Sequence, residues 1–263
     1  MARTPEGVAM PAATERLASE QLFHDRQARG RAADFRAGRA DLRFADADYL
    51  DHAPWVRPAF ARLGPLAGRD ALDFGCGHGM AAVVLARAGA RATAFDLSGG
   101  YVREARERAR ANGVTVDVLQ ADGEQLPFPA GSFDAVWGSA ILHHLDGDRA
   151  AAELHRVLRP GGVAVFCEPW AGNPALQAAR RWLPYPGKHR TPDEQPLRRR
   201  DLRPLRRWFG SVGVQGFQLL GMVRRAWPSA PLGPWLDRCD GRLLRRWPAL
   251  GNLCRYVVVT LRR

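Results

Sequence analysis

From residue 69 onward the sequence alternates between short apolar runs and amphipathic helical runs, and the first crossing carries Gly75-Cys76-Gly77-His78-Gly79. Nothing else constrains the fold as much. Strand–helix repeats at this spacing make neighbouring strands parallel and put helices on the sheet faces. Residues 71–74 read as a strand running into the glycines, and 80–87 as a helix ended by Gly89. Residues 91–95 read as a second strand closed by Asp96. Residues 101–111 form a charged amphipathic helix ended by Asn112-Gly113. Val114, Val116 and Val118 alternate with polar residues as a third strand, and 133–137 form a fourth. Residues 149–158 read as a helix stopped by Pro160-Gly161-Gly162, and 163–167 as a fifth strand. Five such repeats predict an α/β fold with a parallel, doubly wound sheet.

The flanks differ. Residues 1–15 are polar and rich in Pro and Ala. Residues 15–35 have a helical pattern with Leu17, Leu22 and Phe23 near one face, and 48–66 form a further helical stretch broken by Pro54 and Pro58. The expected division is a helical N-terminal extension or lid at 1–66, followed by one domain at 67–263. After residue 170 the reading is a helix at 173–183, a Pro-rich loop at 184–196 and a basic helix at 197–209. Strand-like runs at 212–223, a helix at 232–247 and a terminal strand at 256–261 complete it.

The glycine run lets a ligand approach the backbone closely and aims helix N-terminal N–H groups at it. A dinucleotide fingerprint would want its third glycine at position 80, which is Met. Asp73, two residues before the first glycine, suits a cationic amino group better than a pyrophosphate. Asp96 ends the second strand, where a carboxylate can accept both hydroxyls of a ribose. Asp122 follows the third strand, beside the expected adenine position.

The segments ALDFGCGHGM, AFDLS, ADGEQLPFPAGSFDAVWGSAILHHL and RVLRPGGVAVFCEP resemble the successive motifs of class I S-adenosylmethionine-dependent methyltransferases. They are most similar to the broad group that includes the quinone-biosynthesis methyltransferases, over about 72–168. The resemblance implies a Rossmann-like, mostly parallel seven-stranded sheet with an antiparallel terminal strand, and S-adenosyl-L-methionine as cofactor. It also implies that the backbone around Gly75, Gly77 and Gly79, with Cys76, wraps the methionine part, oriented by Asp73. Asp96 would hold the ribose and Asp122 the adenine amino group. Leu97 and Gly123 would flank the adenine, and Ser139 would stand near the sulfonium. Residues 170–253 fall where the family places variable acceptor-side insertions.

The candidate bases are His143 and His144, after the fourth strand; adjacent residues on a short helical turn point to different sides. Glu168, ending the fifth strand, is a second candidate for acceptor binding or proton removal, or else caps the next turn. His24 and Asp25 belong to the helix that would close over the site. Trp170, Trp182 and Tyr185 are candidates for an aromatic acceptor pocket or for core.

No metal is expected: no His stands at zinc-ligand spacing from Cys76, Cys167, Cys239 or Cys254. The net charge of +12 is uneven. Residues 171–263 hold 19 Lys+Arg against 5 Asp+Glu, whereas 1–170 hold 20 against 22. The basic third raises three options: an anionic or aromatic small-molecule acceptor, a nucleic-acid substrate, or a peripheral membrane surface built from Trp208, Trp227, Trp235 and Trp247 with neighbouring Arg. The expected activity is methylation, at oxygen or carbon, of a hydroxylated aromatic, quinone-like or polyketide-like metabolite, with an RNA or other nucleic-acid methyltransferase as the alternative. Neither a signal-peptide core nor an 18-residue apolar span is present in the sequence, so the expected location is the cytoplasm.

Overall fold

The structure, a computed structural model, describes residues 13–182, 195–223 and 233–263. Tyr185, Trp227 and most of the Pro-rich loop expected at 184–196 lie outside the described residues.

Seven strands form one sheet: β1 (Asp70–Phe74), β2 (Arg91–Asp96), β3 (Val116–Gln120), β4 (Phe133–Ser139), β5 (Leu158–Pro169), β6 (Ser211–Phe217) and β7 (Tyr256–Arg262). Their order is β3-β2-β1-β4-β5-β7-β6. The β3-β2-β1-β4-β5 pairs are parallel, and β7 runs antiparallel to both β5 and β6. This is the expected doubly wound sheet with an antiparallel terminal strand. Chain order reverses between β1 and β4, the switch point at which open α/β sheets bind ligands beyond their strand C-termini.

Period-2 alternation assigns the two faces. On one face, Leu72 and Phe74 of β1, Val136 of β4 and Phe166 of β5 pack against Leu154 and Val157 of α6 (Gly147–Val157). On the other, Ala71, Trp137, Val165 and Val258 pack against Val84 and Leu85 of α4 (Met80–Arg87) and against α2 (Asp46–Leu50) and α3 (Val56–Phe60). Trp137, 1 % exposed, donates its indole N–H to the Tyr49 hydroxyl at 2.8 Å. Its large apolar area is thereby buried without an orphaned donor. The helix α5 (Gly99–Ala111) is N-capped by Ser98, whose hydroxyl accepts from the Tyr101 amide.

Three expectations change. The helix expected at 197–209 is a 3-10 turn (Arg199–Leu202) followed by α8 (Arg203–Trp208). Pro204 sits in the first turn of α8, where no intrahelical amide is needed. Pro160-Gly161-Gly162 belongs to β5 rather than to a stop before it. The third change concerns α1 (Ala13–Arg36): Leu22, expected on its packed face, is 55 % exposed. The face that docks carries Leu17, Glu20, His24, Gln27, Ala28 and Arg31 instead.

That docking is polar. Arg31 Nη2 bonds the Glu104 carboxylate at 2.7 Å, and Glu104 also takes Arg108 at 2.8 Å. Asp25 accepts from the Ser98 hydroxyl at 2.5 Å and the Gly100 amide at 3.0 Å. Tyr101 donates to Gln27 at 2.9 Å. The helix α1 is thus tied to the N-terminal end of α5, across the C-terminal edge of the sheet.

The remaining helices are α7 (Pro174–Trp182) and α9 (Gly233–Arg246). Trp182, Trp208, Trp235 and Trp247 are all largely exposed. Among the described residues no helix is long and apolar enough to cross a membrane.

Candidate functional site

The cavity at the switch point has a volume of about 200 Å³. Its floor comes from the ends of β1, β2 and β4 and from the turn after β3; its roof is α1.

Gly75 follows β1 with φ +68°, and a Cβ there would lie 2.6 Å from the Ile141 side chain. Only glycine combines that left-handed backbone with the close approach. Gly79 (φ +78°) leads into α4, where a Cβ would meet the Ala105 backbone at 2.7 Å. Gly77 (φ +50°) borders the cavity, with open space where a Cβ would be.

Asp96 ends β2. It accepts from the Gly77 amide at 2.8 Å and the Ser98 amide at 2.9 Å, which fixes both carboxylate oxygens in the cavity wall. Burial pushes its carboxyl above the usual range, against the pull of those two amides. Asp122 is oriented by accepting the Glu124 amide at 2.9 Å. Leu97, Asp122, Gly123 and Ser139 also border the cavity.

Two expected contacts are not in the wall. Asp73 is 2 % exposed and turns to the same sheet face as Ala71, beneath α4. Burial pushes its carboxyl up to about 7, with the nearby Asp96 charge adding to the rise and the Ala82 amide opposing it; its Oδ2 has no hydrogen-bond partner. The Cys76 side chain packs with Ala82, Ala94, Val102, Ala105 and Val118. Cys76 therefore contributes its place in the turn, and its thiol lies in the core.

The turn after β4 separates the two candidate histidines. Glu168, fully buried, accepts from the Ile141 and Leu142 amides at 2.9 Å and pairs with His143 Nδ1 at 2.7 Å. It acts as a clamp on this turn, and its oxygens are committed there. The clamp holds Ala140 at φ 54°, a conformation that a non-glycine residue keeps only when its surroundings force it. The His143 side chain is 2 % exposed and lies on the side of Glu168. His144 faces the cavity.

Three residues of the cavity wall, Arg16, Glu20 and His78, have no counterpart among the sequence expectations. Arg16 donates to the His144 carbonyl and to Glu124. Glu20 bridges two imidazoles, with His144 Nδ1 at 3.1 Å and His24 Nε2 at 3.4 Å. Burial opposes ionisation of Glu20, but the hydrogen bonds and charges of His144 and His24 hold its carboxyl well below the usual range. Burial likewise opposes protonation of His24, yet its bond to Glu20 and the Asp96 charge raise its pKa. His78 also borders the cavity; burial, followed by the charges of Arg31 and Arg108, pushes it down to about 4 and keeps it neutral. Asp25, expected at the site with His24, instead serves as the α1–α5 tie.

A second cavity, of about 790 Å³, lies beside β6 and the start of β7. Trp170, Arg199, Arg206 and Arg245 border it. Trp170 is also core, 1 % exposed, with its indole N–H on the Asn252 carbonyl at 3.2 Å. Trp182 is 75 % exposed and lines neither cavity.

Residues 72–166 match the family model of the methyltransferase domain. The chain is 37 % identical over 122 residues to a demethylmenaquinone methyltransferase of Tropheryma whipplei, covering 46 % of this chain and 50 % of that protein. It is 40 % identical over 103 residues to a ubiquinone biosynthesis O-methyltransferase of Methylococcus capsulatus, covering 38 % of this chain and 44 % of that protein. The matches thus span about half the length of these curated relatives. In fold, an S-adenosylmethionine-dependent methyltransferase from Mesorhizobium loti superposes with a TM-score of 0.54 at 24 % identity, over 81 % of this chain and all of that one. S-adenosylmethionine is the cofactor of this family, and the wall fits it: left-handed glycines at the turn, a fixed carboxylate ending β2, and apolar Leu97 and Leu145 beside Asp122. Over residues 72–166 this chain thus matches the methyltransferase-domain family, and its fold is similar to that of a solved S-adenosylmethionine-dependent methyltransferase.

Proposed function

We propose that this protein transfers a methyl group from S-adenosylmethionine to a small-molecule acceptor, a hydroxylated aromatic, quinone-like or polyketide-like compound methylated at oxygen or carbon. The observation that carries the reading is the convergence of Gly75, Gly77, Asp96, Asp122, Ser139 and His144 on one cavity under α1. In this reading Asp96 holds the ribose, Asp122 the adenine amino group, and the Gly75–Gly77 backbone the methionine part. The bound cofactor supplies a methyl group already activated on a sulfonium.

The protein's own work is then alignment and exclusion of water. Alignment alone lowers such a barrier by about 7–11 kcal/mol. The helix α1 closes the cavity from above through the Asp25, Gln27 and Arg31 ties. An acceptor that carries a proton must lose it, and a positioned base contributes roughly 10²–10⁴-fold. Of the two candidate histidines, His144 borders the cavity and takes this role; His143, held by Glu168, positions the turn. The basic last third supports an acceptor with anionic or aromatic character: Arg199, Arg206 and Arg245 outnumber Asp237 and Asp240 around the second cavity, beside Trp170.

The test is transfer of labelled methyl from S-adenosylmethionine into fractionated cell extract, with product identification. Label in a small organic-soluble product is expected. Label confined to RNA would replace this reading with the nucleic-acid alternative, and no transfer to any fraction would overturn both.

A further inference from the structure

The polar face of α1 meets the turn after β4 at one point, and three potential ligands converge there. Glu20 and His24 stand four residues apart on one helix face, so both side chains point the same way. His144 arrives from an element more than a hundred residues later. Ligand atoms of the three groups all lie within 4.8 Å of one another, and Glu20 is already 3.1 and 3.4 Å from the two imidazoles. Tetrahedral zinc, with ligands at about 2.0–2.1 Å, separates its ligand atoms by about 3.3 Å. The two short distances run to different oxygens of Glu20, and drawing three ligand atoms that lie within 4.8 Å to this spacing takes side-chain movements of at most about 1.5 Å. It is the one such cluster of metal-ligating side chains found among the described residues.

The surroundings suit a cation. Glu20 is buried and the two histidines are partly buried, so the ligands are held by packing. Arg16, which donates to the His144 carbonyl, is also paired with Glu124, so its charge is offset. Two imidazoles and one carboxylate make a three-ligand donor set, the kind that leaves a fourth position open in catalytic zinc sites. All three groups border the cavity, so the open position faces it.

We propose that Glu20, His24 and His144 form a binding site for a zinc-type divalent cation that pins α1 to the turn after β4. One consequence rests on the methyl-transfer reading: an acceptor oxygen bound at the open position would have its pKa lowered by the cation. His144 would then be a ligand in place of the base proposed above, and the hydroxyl proton would pass to the hydroxide or water that the acceptor displaces from the open position. The binding itself does not depend on that reading.

The experiment is metal titration of the chelator-stripped full chain, in competition with a chromophoric chelator and with no S-adenosylmethionine present. Zinc should bind at one equivalent, and cobalt(II) should give the visible bands of a low-coordinate nitrogen/oxygen site. Glu20→Gln and His144→Ala should each weaken zinc binding roughly 100-fold or more. His155→Ala, whose ring packs against Trp208 and Phe209, should leave it unchanged. Circular dichroism of each variant separates lost ligation from lost fold, and His24→Gln provides a second, near-isosteric check. Absence of a one-equivalent site, or equal zinc affinity in wild type and a His24→Ala/His144→Ala double variant, would overturn the proposal. Methyl transfer that fails while zinc still binds would count against the activity and leave the site standing.

Discussion

Replacing Asp73 by Asn tests the electrostatics beneath the glycine turn. Burial lifts the Asp73 carboxyl from 3.8 to about 7. A carboxyl whose folded pKa is raised is most favourable to folding below its unfolded pKa. That contribution is lost as pH rises toward the folded value, and above about 7 the loss levels off. At about 1.4 kcal/mol per pKa unit, wild type pays an ionisation penalty of about 4 kcal/mol on going from pH 4 to pH 8. Asn has no such ionisation. The stability difference between Asp73→Asn and wild type should therefore move by about 4 kcal/mol in favour of the variant across that range. Urea unfolding at pH 4, 5, 6, 7 and 8 reads it directly, with the pH-independent cost of an amide at this site appearing as a constant offset. A difference that stays flat from pH 4 to pH 8 would refute the reasoning and mean that Asp73 ionises there without penalty.

Other outcomes follow from the same geometry. Gly75→Ala should abolish S-adenosylhomocysteine binding, because its Cβ would clash with Ile141 in the cavity floor; Gly79→Ala should instead lower unfolding stability by about 1–3 kcal/mol, since its strain is against Ala105. The hold of α1 on the domain should be strongest between about pH 4.5 and 6.5, with the Glu20 contribution lost as pH falls from 4.5 through its depressed pKa and that of His24 lost as pH rises from 6.5 through its raised pKa; limited proteolysis within residues 37–45 at pH 5.5 and pH 9 reads this, and faster cleavage at pH 9 is expected. Arg199→Glu combined with Arg206→Glu should raise the KM of an anionic acceptor while leaving S-adenosylhomocysteine affinity unchanged.

The sheet was legible because buried parallel strands and amphipathic helices differ in period, and glycine punctuates their crossings. Met80–Arg87 was legible to the residue, since Gly79 and Gly89 bracket it. The cavity wall was legible for the same reason: Gly75, Gly77, Asp96 and Asp122 stand at strand ends, where sequence order alone fixes position. The roof was not. The docking face of α1 is mostly polar, carrying Glu20, His24, Gln27 and Arg31, so apolar periodicity picks out Leu22 along with Leu17, and of these two Leu17 alone borders the cavity. The helical spacing of those polar residues around Ala28 was the available signal. The split between His143 and His144 was also hidden, because it depends on Glu168 reaching back across the sheet edge to clamp the turn. That contact is long-range and has no local mark. The same holds for the meeting of Glu20 and His24 with His144.

Calorimetric titration with S-adenosylhomocysteine tests the cofactor site most directly. The account predicts one equivalent bound by wild type and a loss of roughly 1.5–3 kcal/mol of binding free energy in Asp96→Ala, the value of a hydrogen bond to a charged group. Wild type that binds no S-adenosylhomocysteine, or an Asp96→Ala variant that binds it as tightly as wild type, would contradict it.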